Sequence, residues 1–332
     1  MYIVQSYPVA VVLCVITMLC WGSWANTQKL ATKNWAFPLF YWDYTLGLLL
    51  FSLLFGLTLG SSGDAGQGFL ANLSGAELSA LGSAFLGGVV FNIANLLLVA
   101  AIDLAGMAIA FPIGIGLALV LGVLVNYLAT PVGNAVFLFT GVALVSVAII
   151  LDAIAYKKIS KGSATSRGIL ISLLAGILMG FFFRFVAASM SPDNQIITPG
   201  MLTPYAALFI FAIGVFLSSF LFNSYFMYRP MHGPAVTFRD YFSMGDLRLH
   251  TIGILGGIIW CIGMSLSLIA SEKAGYAISY GLGQGATLIA AIWGVFIWKE
   301  FKQAPPGTNR LLALMFACFV IGLACIIYSR YA

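Results

Sequence analysis

Chemistry in this sequence has to come from very few residues. Asn92 and Asn95 lie three apart in the middle of an apolar run; Tyr280 and Gln284 lie four apart in another. At helical spacing each pair shares a face. Trp21 and Trp24 make a third such pair, with Asn26 just beyond, and Trp260 and Arg184 stand in two further apolar runs. Amides pair with carbonyl, N–H and hydroxyl groups, and indole rings stack on flat faces. Together they describe a binding site for a small, flat or ring-shaped uncharged solute. A structural role competes at each position. Asn92 and Asn95 equally suit interhelical hydrogen bonding, and Trp21 and Trp24 suit packing. Arg184 has a choice between reaching outward to the membrane surface and holding a substrate oxygen or a carboxylate.

The acids offer ion coupling. Asp43 sits early in one apolar run beside Tyr41, Trp42 and Tyr44, and Asp152 sits late in another. A buried carboxylate there can carry a proton, or it can pair with Lys29, Lys33 or Lys157. Asp103 and Glu272 occupy equivalent turns and read as caps of the helices that follow. His232 and His250 read as solvated side chains at a membrane face, with proton relay as the alternative. The sequence has no HExxH, GxSxG or GxxxxGK[ST] motif and no metal spacing of Cys and His. No enzyme, cofactor or metal is expected. Cys14, Cys20, Cys261, Cys318 and Cys325 read as apolar packing. Gly281-Leu-Gly-Gln-Gly285 has no strand before it and no Lys after it. Its glycines serve either close helix packing or a local break that frees backbone groups.

The elements that carry these residues belong in a bilayer. Hydrophobic residues make up 61% and charged residues 8% of the chain, against about 25% charged in soluble domains. Each apolar run is near the ~20 residues that cross a membrane, where backbone groups must satisfy one another within helices. The expected fold is an all-α integral membrane protein with ten spans, near 8–30, 38–60, 80–103, 107–130, 134–156, 167–190, 203–227, 249–270, 275–298 and 309–329. Met1–Tyr7 carries no basic residue and no small-x-small site follows, so the first span reads as retained rather than cleaved. Of the 15 Lys and Arg, Arg184 lies within a span, and Lys273 and Arg330 flank one face. The others lie in loops of the opposite face. That bias makes the loops 1–2, 5–6 and 7–8 cytoplasmic and both termini extracytoplasmic. The net charge of +5 therefore serves topology and predicts no nucleic-acid partner. Ser61–Glu77 reads as a mobile external loop, and its Asn72-Leu-Ser is a glycosylation triplet in a eukaryotic host.

A repeat organises the ten spans. Residues 87–119, shifted by 169, meet 256–288 with twelve of 33 positions identical, among them Gly87/Gly256, Gly88/Gly257, Gly106/Gly275 and Gly114/Gly283. Phe91 meets Trp260, and Asp103 meets Glu272. A weaker echo at an offset of 158 sets Gly22, Trp24 and Asn26 against Gly180, Phe182 and Arg184; spans 2 and 7 show no register. Two halves follow, 1–160 and 161–332, each of five helices. Five is odd, so the second half enters the membrane inverted, with a solute site near the midplane between halves. The asymmetric positions Asn92, Asn95, Pro112 and Ile115, against Cys261, Met264, Gly281 and Gln284, would shape that site.

These features resemble the drug/metabolite transporter superfamily. The motif GGxxFxxAN…A…GxAIAFPIGIG is similar to its glucose/ribose porter branch. Tyr41-Trp-Asp-Tyr-Thr45, the stretch Asn223–Pro230 with Gly233, Pro234, Thr237, Phe238 and Tyr241, and Ala274–Ala277 with Trp293-Gly294 resemble the ureide permeases. The resemblance implies proton-coupled uptake of a small neutral polar solute at an inner (plasma) membrane by alternating access. The solute would be a ureide such as allantoin, a nucleobase such as uracil, or a monosaccharide such as ribose, glucose or rhamnose. Monomer and homodimer both remain open. The rival readings are an exporter of the same superfamily, which would want a central acid, and a membrane protein that does not transport.

Overall fold

In lipid a polar main chain has no solvent, so the apolar runs close their hydrogen bonds within helices. The computed structural model describes residues 1–31, 35–159, 165–230 and 234–332. Among them, ten helices are long and apolar enough to cross a membrane. Spans 1 to 5 are Tyr7–Ala31, Phe37–Leu57, Leu78–Ala105, Ile109–Ala129 and Ala135–Ile159. Spans 6 to 10 are Ser166–Ser189, Pro204–Tyr228, Leu247–Ala274, Tyr276–Ile297 and Thr308–Tyr328. Each lies within a few residues of its expected place. Large apolar side chains stand exposed along them, Val12, Leu54, Leu128, Leu221 and Val320 among others, as helices facing hydrocarbon require. The protein is an all-helical, multi-pass membrane protein.

The chain packs as two compact units. One is Met1–Asn92 with Phe182–Lys273, and the other is Ile93–Phe181 with Ala274–Ala332. Each therefore draws residues from both sequence halves.

Four glycines set the helix crossings of the first unit. At Gly88 of span 3 a Cβ would land on the main-chain carbonyl of Phe211 in span 7; at Gly257 of span 8 it would land on that of Tyr44 in span 2. Gly214 of span 7 has the same lack of room against Phe85, and Gly47 of span 2 against Ile254. Gly88 with Gly257, and Phe85 with Ile254, are partners at the offset of 169; Gly47 with Gly214, and Tyr44 with Phe211, are partners at 167. One crossing is written twice, with a register between spans 2 and 7 that the sequence alone hid.

The second unit packs span 5 along span 10 and span 4 against spans 5 and 9. Spans 4 and 9 begin alike, at Gly106 with φ 75° and Gly275 with φ 87°. Backbone in that region favours glycine, which explains the shared Ala-Gly of the repeat. The N-cap positions are these glycines themselves, which carry no side chain to cap with. Glu272 pairs with Lys273 at 2.6 Å and accepts from the Asn194 N–H at 3.3 Å. Span 9 is helical over Tyr276–Gly283, breaks at Gln284–Gly285, resumes over Ala286–Ile292 and ends in a π-turn, Trp293–Ile297. Both readings of Gly281–Gly285 have a part: the helix is interrupted, yet the Gln284 and Gly285 N–H groups stay bonded to Tyr280 O and Leu282 O, and Gly281 packs close to Val123.

The loop Ser61–Glu77 is fastened down rather than running free. The Met1 amino group donates to Ala65 O at 2.7 Å, and Phe69–Gly75 forms a short helix. Asn72 is buried; its amide donates to Gln67 Oε1 and Met201 O and accepts from the Thr203 N–H. In the fold, both the donor and the acceptor ends of this amide are committed to the loop and to the start of span 7.

Candidate solute-binding site

The first unit gathers aromatic rings around Trp260, which is 5% exposed. Trp21 stacks on it with ring centroids 5.6 Å apart and planes 13° from parallel. The Trp21 indole N–H donates to the Trp260 carbonyl at 3.2 Å. Phe91 lies 4.4 Å from Trp260, and Phe211 lies 5.9 Å away, stacked with planes 14° from parallel. Phe91 and Trp260 are thus repeat partners in direct contact. Tyr44 joins the group from span 2, 4.9 Å from Trp24 and 5.2 Å from Tyr41.

Asn92 is the polar centre. It is fully buried. Its Oδ1 accepts from the Tyr41 hydroxyl at 2.9 Å. Its Nδ2 donates to Ser218 Oγ at 2.7 Å and Ser219 Oγ at 3.1 Å. Ser219 in turn donates to Val215 O at 2.8 Å. Both amide hydrogens are used, so the interhelical role expected for Asn92 is real. It does not exclude binding, because serine hydroxyls exchange partners at low cost. The Tyr44 hydroxyl differs. It is buried and has no hydrogen-bond partner among the described residues. Such a group costs about 1–3 kcal/mol, and it marks a place where a ligand oxygen or nitrogen would restore the bond.

One residue from Tyr44 along span 2, Asp43 serves a second cluster. Asp43 is 1% exposed and accepts from the Tyr241 hydroxyl and from His250 Nδ1, which lies 2.9 and 3.1 Å from its two oxygens. Trp35 sits edge-on to His250 at 5.2 Å and tilted to Tyr241 at 5.7 Å. Tyr241 lies outside the spans, on the short helix Phe238–Met244, which a Thr237–Asp240 capping box starts. Burial first, then the hydrogen bond to Asp43 and its charge, hold the Tyr241 phenol above its ordinary range. His250 is accordingly no simple solvated side chain; Lys33 and His232 lie outside the described residues.

The model of the family described as ureide permease matches residues 40–166 and 155–329. The chain belongs to the ureide permease family. It is similar to Ureide permease 1 of Arabidopsis thaliana, 24% identical over 99% of both chains. Probable ureide permease A3 of Vigna unguiculata is 22% identical over 91% of this chain and 98% of its own. Transmembrane protein 144 homolog B of Dictyostelium discoideum is 24% identical over 48% of this chain and 39% of its own. One solved crystal structure matches with a TM-score of 0.60 and 15% identity over 97% of this chain and 98% of that one, a likeness of fold.

Set in this permease fold, the expected site residues separate. Trp21, Trp24, Asn92 and Trp260 come together in the first unit. Asn26 donates back to Ser23 O at 3.0 Å, beside the irregularity of span 1 at Trp24. Arg184 is half-buried and has no hydrogen-bond or ion-pair partner among the described residues. Asn95 is buried but falls in the second unit. Tyr280 and Gln284 fall there too. The Tyr280 hydroxyl donates to Met179 O at 3.0 Å and Ala118 O at 3.3 Å, which commits it to helix packing. Gln284 marks the break of span 9. Asp152 is buried with Oδ1 unpartnered among the described residues, while nearby Tyr156 donates to Glu300 Oε2 at 2.7 Å. The pairing of Asp152 with Lys157 does not occur among the described residues. Sequence reasoning passed over Tyr41, Tyr44, Ser218, Ser219, Phe91, Phe211, Tyr241 and the partner of His250. The signals were there: the run Tyr41–Thr45 and the Ser218-Ser219 pair interrupt otherwise apolar spans.

Proposed function

We propose that this permease is a secondary active importer of a ureide of the allantoin type, and that the nest around Asn92 and Trp260 binds it. The observation that carries this reading is the buried hydroxyl of Tyr44, unpartnered among the described residues and set beside Trp24 and Tyr41. A ureide is flat, neutral and rich in N–H and C=O groups. Its faces suit Trp24, Trp21 and Trp260, and its edges suit Tyr44, Asn92 and the two serines. The relatives' names point to ureides rather than to monosaccharides; uracil presents similar edges and belongs in the same test.

Alternating access by two inverted halves, 1–160 and 161–332, fits the reciprocal crossings of Gly88 with Gly257 and of Gly47 with Gly214. Tight glycine crossings let helices slide without side chains in the way. The lysine and arginine bias orients the protein in a plasma membrane with both termini outside. Coupling to protons is part of the reading, with Asp43 and Asp152 as carriers.

Counterflow tests it. Proteoliposomes preloaded with unlabelled allantoin should take up labelled allantoin, and excess uracil should compete while ribose should not. Vesicles that exchange ribose but not allantoin would overturn the substrate reading.

A further inference from the structure

We propose that Asp43 and His250 form a proton-binding site whose occupancy is reported by Tyr241 on the short helix Phe238–Met244. The site deepens the transport reading above and rests on it for its use in coupling. The pair has a dry end and a wet end: Asp43 is 1% exposed, and the His250 side chain is 26% exposed. His250 Nδ1 faces both carboxylate oxygens, so with Asp43 ionised it is Nδ1 that carries hydrogen and donates. The lone pair of the neutral ring is then on Nε2. One proton from water adds to that lone pair, the donor keeps the electrons of the bond it loses, and the cluster goes from one net negative charge to none.

Five elements meet at the pair. Span 2 brings Asp43, span 8 brings His250 and the backbone of Gly253, the segment before span 2 brings Trp35, the short helix brings Tyr241, and the turn after that helix sets Gly245, which has no side chain, against His250 Nε2. Tyr241 is the titratable group facing the pair from the short helix. Two other acids of this region have donors of their own: Asp240 accepts from Thr237, and Asp246 accepts from the Leu249 N–H. The phenol of Tyr241 and the ring of His250 share one carboxylate, Asp43 Oδ1. A neutral imidazole leaves the full negative charge for the phenol to bind. An imidazolium takes the larger share of it and loosens the hold of Tyr241. Proton loading thereby sets how firmly the short helix is held over the end of span 2.

Hydrogen–deuterium exchange of the full chain in lipid nanodiscs tests this without any substrate. When the pH is lowered from about 7.5 to about 5.5, exchange over residues 238–244 should speed several-fold after correction for intrinsic rates. In His250→Gln and in Asp43→Asn that pH response should vanish. An equal response in His250→Gln, or none in the wild type, would overturn the site. A second arm uses proteoliposomes with an imposed pH gradient. Wild type should accumulate allantoin, whereas His250→Gln should exchange it yet fail to accumulate it. Accumulation by His250→Gln at the wild-type level would also overturn the proposal. Absence of allantoin exchange in the wild type counts against the transport reading, while the exchange of the short helix still decides the proton site.

Discussion

Tyr44 and Tyr280 are both completely buried, one in each compact unit. Their hydroxyls have opposite fates. Tyr280 donates to two main-chain carbonyls and lies over Gly122, so its phenol pins span 9 to neighbouring helices. Tyr44 stacks among rings with its hydroxyl unpartnered among the described residues. Burial of a polar aromatic in a membrane span is therefore no mark of a binding site. What sets the candidate site apart is a hydrogen-bonding group left unspent amid stacked rings.

The contrast is sharpened most by Asn92→Ala, which removes the hub of the first unit. Uptake should fall by more than about 100-fold, because the solute loses an amide partner and its neighbours Tyr41, Ser218 and Ser219 lose their own. Protein should still reach the membrane. Counterflow assays with matched protein amounts measure the effect; uptake near the wild-type level would remove Asn92 from the site.

Tyr280→Phe comes next. It should lower stability by about 1–2 kcal/mol, since two carbonyls lose a buried donor, and lower the melting temperature by a few degrees. The surviving folded protein should bind allantoin as the wild type does. Weaker binding with unchanged stability would return Tyr280 to the solute site. Tyr44→Phe should do the reverse. Ligand-free stability should hold or rise slightly, as an orphaned hydroxyl is removed. Allantoin affinity should drop about tenfold, near 1.4 kcal/mol. A loss of stability with normal binding would show that Tyr44 has a structural partner.

The fold was legible because hydrocarbon leaves the main chain one solution, and run length then places each span within a few residues. The repeat was legible where glycines recur, and its purpose appears in the structure: Gly106 and Gly275 take positive φ, and Gly88 and Gly257 admit another helix's backbone. The candidate site was legible in part. Asn92, Trp21 and Trp260 stand out because polar and indole groups are conspicuous in apolar runs, and the structure puts them in one compact unit. Tyr280 and Gln284 are conspicuous for the same reason, and the structure places them at a packing contact and a helix break. Their chemistry matches that of a site, and only the identity of the hydrogen-bond partner tells the two roles apart. His250 was misread because its partner, Asp43, lies about two hundred residues away in sequence, beyond any local pattern.

The smallest expected effect is also the most direct check on the separation between the two tyrosines. If Tyr280 acts on the fold and Tyr44 on the ligand, each works through its own neighbours: the Tyr280 hydroxyl bonds Ala118 and Met179, while the Tyr44 ring contacts Trp24 and Tyr41. The double variant Tyr44→Phe with Tyr280→Phe should then show the sum of the single stability changes within about 0.5 kcal/mol. Its allantoin affinity should equal that of Tyr44→Phe alone. Thermal unfolding of the four proteins, with and without allantoin, supplies both quantities. A coupling above about 1 kcal/mol in the ligand-free proteins would mean that the two hydroxyls belong to one network, and burial without a partner would lose its value as the sign of a site.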